Sequence, residues 1–504
     1  MKKKKVLFLF LFLATGVSFA QQGVVVKEES RNSSIVFEKS VLFYEPFHNV
    51  DATNNDLYLG RYDKKTSKTL FLVDYITPTS FETLTLTKIP EAQYVFGTVF
   101  ADQLWTFYVL KGKNKKSSDV FVLNRTATGT NSTLWQPQTL SVLNRDIWVD
   151  RVNINVCSSP NNEFLSLAWH EINESNNTFL THVCVWNRAG ELITDKVLSG
   201  SDFLAFSKAC YFSIDNRGVI HALFHNKGDE DRKTDTRPSI TYVTLDANGV
   251  NVYPLKLDEA AEIPSVKGLL LRNGQFLVAG YLTQDEKRPA STLFYARFDH
   301  ETQEFGDVIM EEVSEDDVTF PKIPAYQRHE IFITMNCLTE NPDGVVSMLG
   351  EVSAWVYQCM KNYCFYSYYW GDITIHTLDE SDQLSLITYP KNHGSTNVFS
   401  YTYKLHYGFN YIPFFKNKQL HLVFAIRENG EKKDNPWFYP ESTSASGKIV
   451  HLKVNPDDRS VETSSVLTAG KSTGFRSILS FTNNGLYYLN GDNSICYLSF
   501  EELE

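Results

Sequence analysis

Short strand-like runs recur in pairs along the whole chain, and this repeat restricts the fold more than any other feature of the sequence. Each unit has a polar turn, an apolar run, a polar excursion of variable length and a second apolar run. The first pair is "NNDLYLGRYD" followed by "TLFLVDY". Runs rich in Val, Ile, Tyr and Phe and bounded by Asn, Asp and Gly are typical of β-strands. Helical periodicity is almost absent, so the sequence predicts an all-β protein.

The polar turn before each pair gives the period of the repeat. Successive turns are 47 to 74 residues apart. Eight units of about sixty residues favour a radial arrangement in which each unit is one four-stranded blade, with strands A to D and the quoted pair as B and C. The turn markers are Asn55, Asp102, Asn162, Gly218, Gly274, Gly344, Lys418 and Gly485.

This spacing predicts a single all-β domain over residues 21–504, a β-propeller of eight four-stranded blades. Seven blades are the alternative, because the first and last units differ from the others. Two stacked β-sandwich domains are a further alternative, but no linker rich in Pro, Gly or Ser divides the chain. The last unit ends after its C strand. We therefore expect the N-terminal segment "GVVVKEES" to supply the missing outer strand and close the ring, since open sheet edges can pair with other chains.

The N-terminus predicts export. Residues 1–20 combine a basic stretch, Lys2–Lys5, with an apolar run and small residues before Gln21, the pattern of a signal peptide. The apolar run is shorter than the about 20 residues that a membrane span needs. We expect a periplasmic, extracellular or cell-surface protein without a membrane span. The net charge of −11 becomes −15 when the four lysines are removed, which disfavours nucleic acid as a partner.

The repeated pattern, the N-terminal segment and the stretch "YYWGDITIHTLD…YPKN" resemble secreted bacterial β-propeller proteins of unassigned function. The resemblance covers most of the chain and implies the fold. The Gly-Gly doublet of kelch repeats, the Trp-Asp of WD40 repeats and the "S-x-D-x-G-x-T-W" box of sialidases are absent from the sequence. No functional residues therefore carry over from the resemblance.

The B–C excursions differ most in length, and insertions into repeats often collect on the binding face. The sixth and seventh are the longest and the richest in Tyr and Trp, whose rings combine an apolar face with a polar tip suited to sugars or protein partners. Packing of these rings into a local core is the alternative. If "YCFYSYYW" is a strand, Tyr366, Tyr368 and Trp370 share one face and Tyr363, Phe365 and Tyr369 the other. The candidate binding residues are Trp355, Tyr357, Tyr366, Tyr368, Trp370, Trp437 and Tyr439.

Catalytic and metal signals are weak. Glu171 and Glu351 end two B strands, and a pair of carboxylates about 5–10 Å apart can hydrolyse a glycosidic bond. No "H-E-x-x-H" motif occurs, and we expect no metal site and no cofactor.

The seven cysteines are too few and too scattered for a disulfide scaffold. Cys157 and Cys184 are expected on the A and C strands of one blade, too far apart for a disulfide. Cys359 and Cys364 are the disulfide candidate.

These observations favour a non-enzymatic binding protein that holds a glycan or a protein partner through its long B–C excursions. An extracellular hydrolase or lyase acting on polysaccharide is the first alternative. A structural component of a cell-surface assembly is the second.

Overall fold

The computed structural model describes the strands and many of the segments that connect them. The predicted signal peptide, Trp437 and Tyr439 lie outside the described residues. In the described part of the chain, no helix has the length and apolar character needed to cross a membrane. The described backbone comprises residues 24–27, 34–37, 45–46, 48–49, 57–62, 71–76, 81–85, 92–110, 112, 119–127, 137–143, 147–149, 154–173, 178–199, 208–226, 239–257, 262–283, 292–314, 316–320, 328–360, 363–379, 383–390, 394–398, 412–416, 418–427, 447–455, 460–468, 477–482, 485–489 and 495–499.

The regular elements of these segments are β-strands, in agreement with the all-β prediction. The strands of the first half are β1 (Val24–Lys27), β2 (Ser34–Phe37), β3 (Glu45–Pro46), β4 (His48–Asn49), β5 (Leu57–Tyr62), β6 (Phe71–Ile76), β7 (Phe81–Thr85), β8 (Ala92–Phe100), β9 (Gln103–Leu110), β10 (Asp119–Ala127), β11 (Gln138–Leu143), β12 (Ile147–Val149), β13 (Asn155–Ser158), β14 (Phe164–Asn173), β15 (Thr178–Asn187), β16 (Leu192–Ser199), β17 (Lys208–Ile214), β18 (Ile220–Asn226), β19 (Ser239–Leu245) and β20 (Val250–Leu255). Those of the second half are β21 (Glu262–Leu270), β22 (Phe276–Thr283), β23 (Thr292–Asp299), β24 (Glu304–Phe305), β25 (Ile309–Glu312), β26 (Arg328–Glu340), β27 (Val346–Met360), β28 (Tyr363–Leu378), β29 (Leu384–Tyr389), β30 (Gly394–Val398), β31 (Ile412–Lys416), β32 (Gln419–Arg427), β33 (Gly447–Val454), β34 (Val461–Thr468), β35 (Ser477–Thr482), β36 (Gly485–Leu489) and β37 (Ile495–Ser499).

These strands form sheets that follow one another along the chain. The eight predicted B–C pairs, from β5–β6 to β36–β37, are all adjacent antiparallel strands. Three sheets have four antiparallel strands in sequence order and the other five have a fifth strand, a succession consistent with a β-propeller. The sheets, numbered by unit, are sheet 1 (β3-β5-β6-β7), sheet 2 (β4-β8-β9-β10-β11), sheet 3 (β12 and β13, then β14-β15-β16), sheet 4 (β17-β18-β19-β20), sheet 5 (β21-β22-β23, then β24 and β25), sheet 6 (β26-β27-β28, then β29 and β30), sheet 7 (β31-β32-β33-β34) and sheet 8 (β35-β36-β37-β2-β1).

Sheet 8 joins the two ends of the chain. β2 pairs antiparallel with β37, with Val36 opposite Cys496, and β1 pairs with the outer side of β2. The segment that the sequence predicts as a fourth strand, β1, is therefore the fifth. β2, which the sequence analysis did not identify, takes the fourth place.

The A–B turns explain why the repeat is visible in the sequence. Gly218, Gly274 and Gly344 all have positive φ, between 83° and 88°, a region that glycine enters without steric cost. Asn162 and Lys418 hold the equivalent position with φ of 55° and 67°. Each of these residues was a turn marker, so the period read from the sequence is the period of a tight turn that requires a left-handed residue.

Alternation along each strand sends side chains to the two neighbouring sheets. In β14, Leu165, Leu167 and Trp169 are fully buried against sheet 2, whereas Ala168 is buried against sheet 4. Since side chains of a strand alternate between its faces, one strand contributes to two packed seams. Aromatic rings fill the seam of sheets 2 and 3, where Trp105 and Trp186 meet edge to face with centroids 5.4 Å apart.

The same packing continues through the middle of the chain. Buried apolar clusters join sheets 2 and 3, 3 and 4, 4 and 5, 5 and 6, and 6 and 7. Sheets that each bury both faces against their sequence neighbours are consistent with the blades of a propeller.

Neighbouring sheets are also linked where their A–B turns meet. The backbone NH of Arg272 donates to Glu340 at 2.8 Å, joining the turns of sheets 5 and 6. Lys418 and Asp343 form an ion pair of 2.9 Å between the turns of sheets 7 and 6. These contacts link the short A–B turns of neighbouring sheets. The connections that vary in length are those between the B and C strands.

Candidate functional site

The most distinctive feature of the B–C side is the height of sheet 6. Its B and C strands contain 15 and 16 residues, compared with 8 and 8 in sheet 5. We refer to residues 353–360 of β27, residues 363–370 of β28 and the parts of β26 and β30 paired with them as the sheet 6 extension. The sequence places this stretch in a B–C excursion and leaves open whether "YCFYSYYW" is a strand; in the structure it belongs to the C strand. The run of aromatic and β-branched residues, which favours strands, continues the B and C strands.

The register brings five of the predicted binding residues onto one face. Trp355 pairs with Tyr368 and Tyr357 with Tyr366, while Trp370 lies opposite Ser353. Directly opposite residues of an antiparallel pair share a face, and residues two apart on a strand share it as well. We call this the aromatic face. Their side chains lie outside the described residues, so their exposure stays a prediction.

The flanking strands widen this face. Glu330 of β26 lies opposite Trp355, and Thr396 of β30 lies opposite Tyr368. Arg328 lies opposite Tyr357 in the next row. The register therefore places a carboxylate and a guanidinium residue beside the aromatic positions.

The aromatic face continues the side of sheet 6 that packs on sheet 7. Leu349 of β27 belongs to the seam with sheet 7, while Met348 and Val352 belong to the seam with sheet 5. The extra residues of the two bulges lie on β26 and β28, so alternation along β27 is uninterrupted from Leu349 to Trp355. The face is thus directed to the side of sheet 7, whose own long B–C excursion contains Trp437 and Tyr439.

The base of the extension is tightly held. A β-bulge interrupts the register between Glu351 and Ser353. At the bulge, buried Asp372 accepts a hydrogen bond of 2.9 Å from the backbone NH of Thr319, in the segment that leads from sheet 5 to sheet 6. Val313 and Val318 of that segment are buried in the same seam. Bulges are common where a sheet must redirect its side chains.

The two catalytic candidates are buried in different seams. Glu351 is 1% exposed and accepts a hydrogen bond from Asn336 at 3.3 Å within sheet 6. Glu171 is 4% exposed and lies at the seam of sheets 2 and 3. The described partners of the two carboxylates belong to different sheets, so the predicted pairing of Glu171 with Glu351 in one site stays a prediction.

Glu171 has a partner that the sequence did not reveal. The Nε2 atom of His182 lies 3.2 Å from Oε2, and Trp169 donates its indole NH to Oε1 at 3.3 Å. The His182 ring stacks on Trp169 with centroids 4.7 Å apart. Burial favours protonation of Glu171, but hydrogen bonds with His182 and Ser141 outweigh it and hold the pKa below its ordinary value. Only cross-strand register brings His182 to Glu171, so sequence spacing gave no signal.

A second polar cluster lies at the A–B turn of sheet 4. His221 shares a hydrogen bond of 2.6 Å with the hydroxyl of Tyr242, and its Nε2 atom is 3.7 Å from the carboxylate of Asp215. Burial favours protonation of Asp215, but hydrogen bonds from His221, Val219 and Arg217 hold its pKa well below the ordinary value. Burial raises the pKa of Tyr242. A fully buried tyrosine that keeps its proton suits a structural network better than a reactive group.

Metal and thiol chemistry are limited in the described residues. Among them, no group of three or more His, Cys, Asp and Glu side chains could hold a metal ion. Cys157 and Cys184 lie on either side of β14 as free thiols, which confirms that they are unpaired. Cys337 is also free. Burial raises the pKa of Cys157 to about 12 and that of Cys337 to about 11.

No family model matches the chain, and no curated protein matches it. Several solved structures are similar at low scores. A family PL25 ulvan lyase bound to -[GlcA(1-4)Rha3S]- has a TM-score of 0.36 at 7% identity, over 67% of this chain and 94% of the lyase. The β-propeller domain of the trilobed protease from Pyrococcus furiosus has a TM-score of 0.25 at 10% identity, over 69% and 90% of the two chains.

Prolyl oligopeptidase B from Galerina marginata has a TM-score of 0.32 at 11% identity, over 64% of this chain and 43% of the oligopeptidase. This chain thus spans less than half of that protein. Likenesses of this strength assign neither a family nor an activity.

Proposed function

We propose that this chain is an exported glycan-binding protein and that the aromatic face of the sheet 6 extension holds the glycan. The observation that carries the proposal is the register that places Trp355, Tyr357, Tyr366, Tyr368 and Trp370 on one face. Tyr and Trp rings stack on the apolar faces of sugars and offer a polar tip for hydrogen bonding. Arg328 and Glu330, in the same rows, would add polar contacts.

We also propose an eight-bladed propeller as the scaffold, with the ring closed in sheet 8. The pairing of β2 with β37 supports closure, because it joins the N-terminal and C-terminal units in one sheet. In such a ring sheets 6 and 7 are neighbours. Their B–C elements would then form two walls of one site, and we assign Trp437 and Tyr439 to the second wall.

The test is a matched pair of double variants. Trp355→Ala with Trp370→Ala removes two rings of the aromatic face. Phe365→Ala with Tyr369→Ala removes two rings from the opposite face of the same extension. Binding to an array of soluble polysaccharides should weaken at least about tenfold, or about 1.4 kcal/mol, in the first variant only. Equal binding by wild type and the first variant would overturn the proposal, as would equal losses in both variants.

Cleavage of a glycan is the second candidate, and the Glu171–His182 pair favours it. A carboxylate with a close imidazole partner is a usual acid–base arrangement. Incubation with the polysaccharide that binds best should then release new reducing ends or unsaturated products. Glu171→Gln should abolish this release, while Glu191→Gln, at an exposed turn of the same sheet, should not. No product from wild type leaves binding as the function.

A further inference from the structure

The tip of the sheet 6 extension is a two-stranded ribbon within the described strands. β26 begins at Arg328, opposite Tyr357, and β30 ends at Val398, opposite Tyr366. Among the described strands, β27 and β28 beyond that row pair with each other alone, down to Met360 opposite Tyr363. Two strands without a third are marginally stable in water. A covalent link between the two strands would therefore stabilise the tip.

Two cysteines face each other in this ribbon. Cys359 lies directly opposite Cys364, one pair away from the last pair of the two strands. Directly opposite residues in antiparallel strands have Cα atoms about 4.5 Å or about 5.5 Å apart, depending on whether the pair is hydrogen-bonded. A disulfide accepts Cα separations of about 4.4–6.8 Å. Both types of pair satisfy this requirement.

The other cysteines whose thiols the structure describes are poor candidates for disulfide formation. Cys157, Cys184 and Cys337 are free, lie within the packed seams, and have pKa values raised by burial. Thiols of this kind form few thiolates and exchange slowly. Cys157 and Cys184 are moreover separated by β14.

We propose that Cys359 and Cys364 form a disulfide that closes the tip of the sheet 6 extension. Each thiol loses one proton and together they lose two electrons, which a donor disulfide accepts as it is reduced to two thiols. The bond lies two residue pairs beyond Tyr357 and Tyr366, so it would fix the outer end of the aromatic face. The proposal does not depend on which ligand that face holds.

The sequence provides a direct test, because trypsin cuts after Lys361, between the two cysteines. The folded chain, purified after oxidative export, is denatured with a thiol-blocking alkylator and without reductant, then digested. We expect peptides 329–361 and 362–391 to remain joined, with Cys337 in the first peptide alkylated. Reduction should separate them. Alkylation of both Cys359 and Cys364, or a bond from either of them to another cysteine, would overturn the proposal.

A variant series separates the bond from general folding. Cys337→Ser should leave the joined peptides unchanged. Cys359→Ser with Cys364→Ser should fold but should be cut after Lys361 in the native state of the order of tenfold faster, because the ribbon then opens more often. Equal rates of native cleavage in wild type and this double variant would show that no bond constrains the tip.

Discussion

Acid should destabilise this fold through His376, a residue of β28 that lies between sheets 5 and 6. Its side chain is fully buried, and neither ring nitrogen has a hydrogen-bond partner among the described residues. The Tyr281 ring lies 6.0 Å away, and the charge of Asp317 favours the imidazolium only weakly. Burial dominates and lowers the pKa of His376 from 6.5 to about 4. His376 is therefore neutral at pH 5 in the folded protein, whereas it is charged at this pH in the unfolded chain.

The sign and size of the effect follow from linkage. Between pH 6.5 and pH 4 the unfolded chain binds a proton that the folded chain does not, so the free energy of unfolding falls as the pH falls. The full loss below pH 4 is about 3 kcal/mol, since each pKa unit corresponds to about 1.4 kcal/mol. From pH 7.5 to pH 5, where most carboxylates stay ionised, the loss from this residue is about 2 kcal/mol.

Reversible unfolding in urea at pH 7.5, 6 and 5 measures this loss. His376→Leu removes the titrating group, and any change in packing alters stability equally at all three pH values. We therefore expect the variant to lose about 2 kcal/mol less than wild type on going to pH 5. His300→Gln, at an exposed histidine of sheet 5, should retain most of the wild-type loss. Parallel pH profiles for wild type and His376→Leu would refute the reasoning.

Three further predictions concern the turns, the packing and the thiols. Gln303→Gly should raise the free energy of unfolding by roughly 0.5–1 kcal/mol, because φ is 59° at this exposed turn residue. Gly274→Ala, at a φ of 88°, should lower it by about 1 kcal/mol, and thermal unfolding that ranks the two variants the other way would contradict this. Gly350→Ala should lower the free energy of unfolding by about 1–3 kcal/mol, because a Cβ would clash with Thr374 Oγ1 and lie 2.9 Å from the Tyr281 hydroxyl. Gly249→Ala is the control: its Cβ would meet nothing within 4 Å, so thermal unfolding should be nearly unchanged. In the native protein at pH 8 only about one in a thousand Cys337 thiols is ionised, so Cys337 should react with a thiol reagent far more slowly than after denaturation; equal rates would show that it is accessible.

The sequence predicted the strand pairs because each unit repeats two local requirements. A left-handed residue must end the A–B turn, as Gly274 does, and apolar residues must alternate with the strand. Both are readable from neighbours in sequence. The extension of sheet 6 was predictable only in part. The alternation in "YCFYSYYW" indicates a possible strand, but its partner strands are not visible in the sequence, so a long aromatic excursion resembles a loop insertion. Likewise, His182 meets Glu171 only through the register of β14 and β15.

The pairing of β2 with β37 has a consequence for how the molecule is made. Val36 and Cys496 are 460 residues apart in the sequence, so this contact has a very large sequence separation. Contacts of that kind form late, because bringing the two strands together while the intervening chain is unfolded costs a large loop-closure entropy. Until β37 has been made, the edge of β2 that faces it is unpaired. Once β37 has paired with β36, its other edge stays unpaired until β2 docks on it. The nascent chain therefore has an unpaired edge on β2 until β37 has been made. A chaperone that keeps this edge from pairing with other chains would favour correct folding.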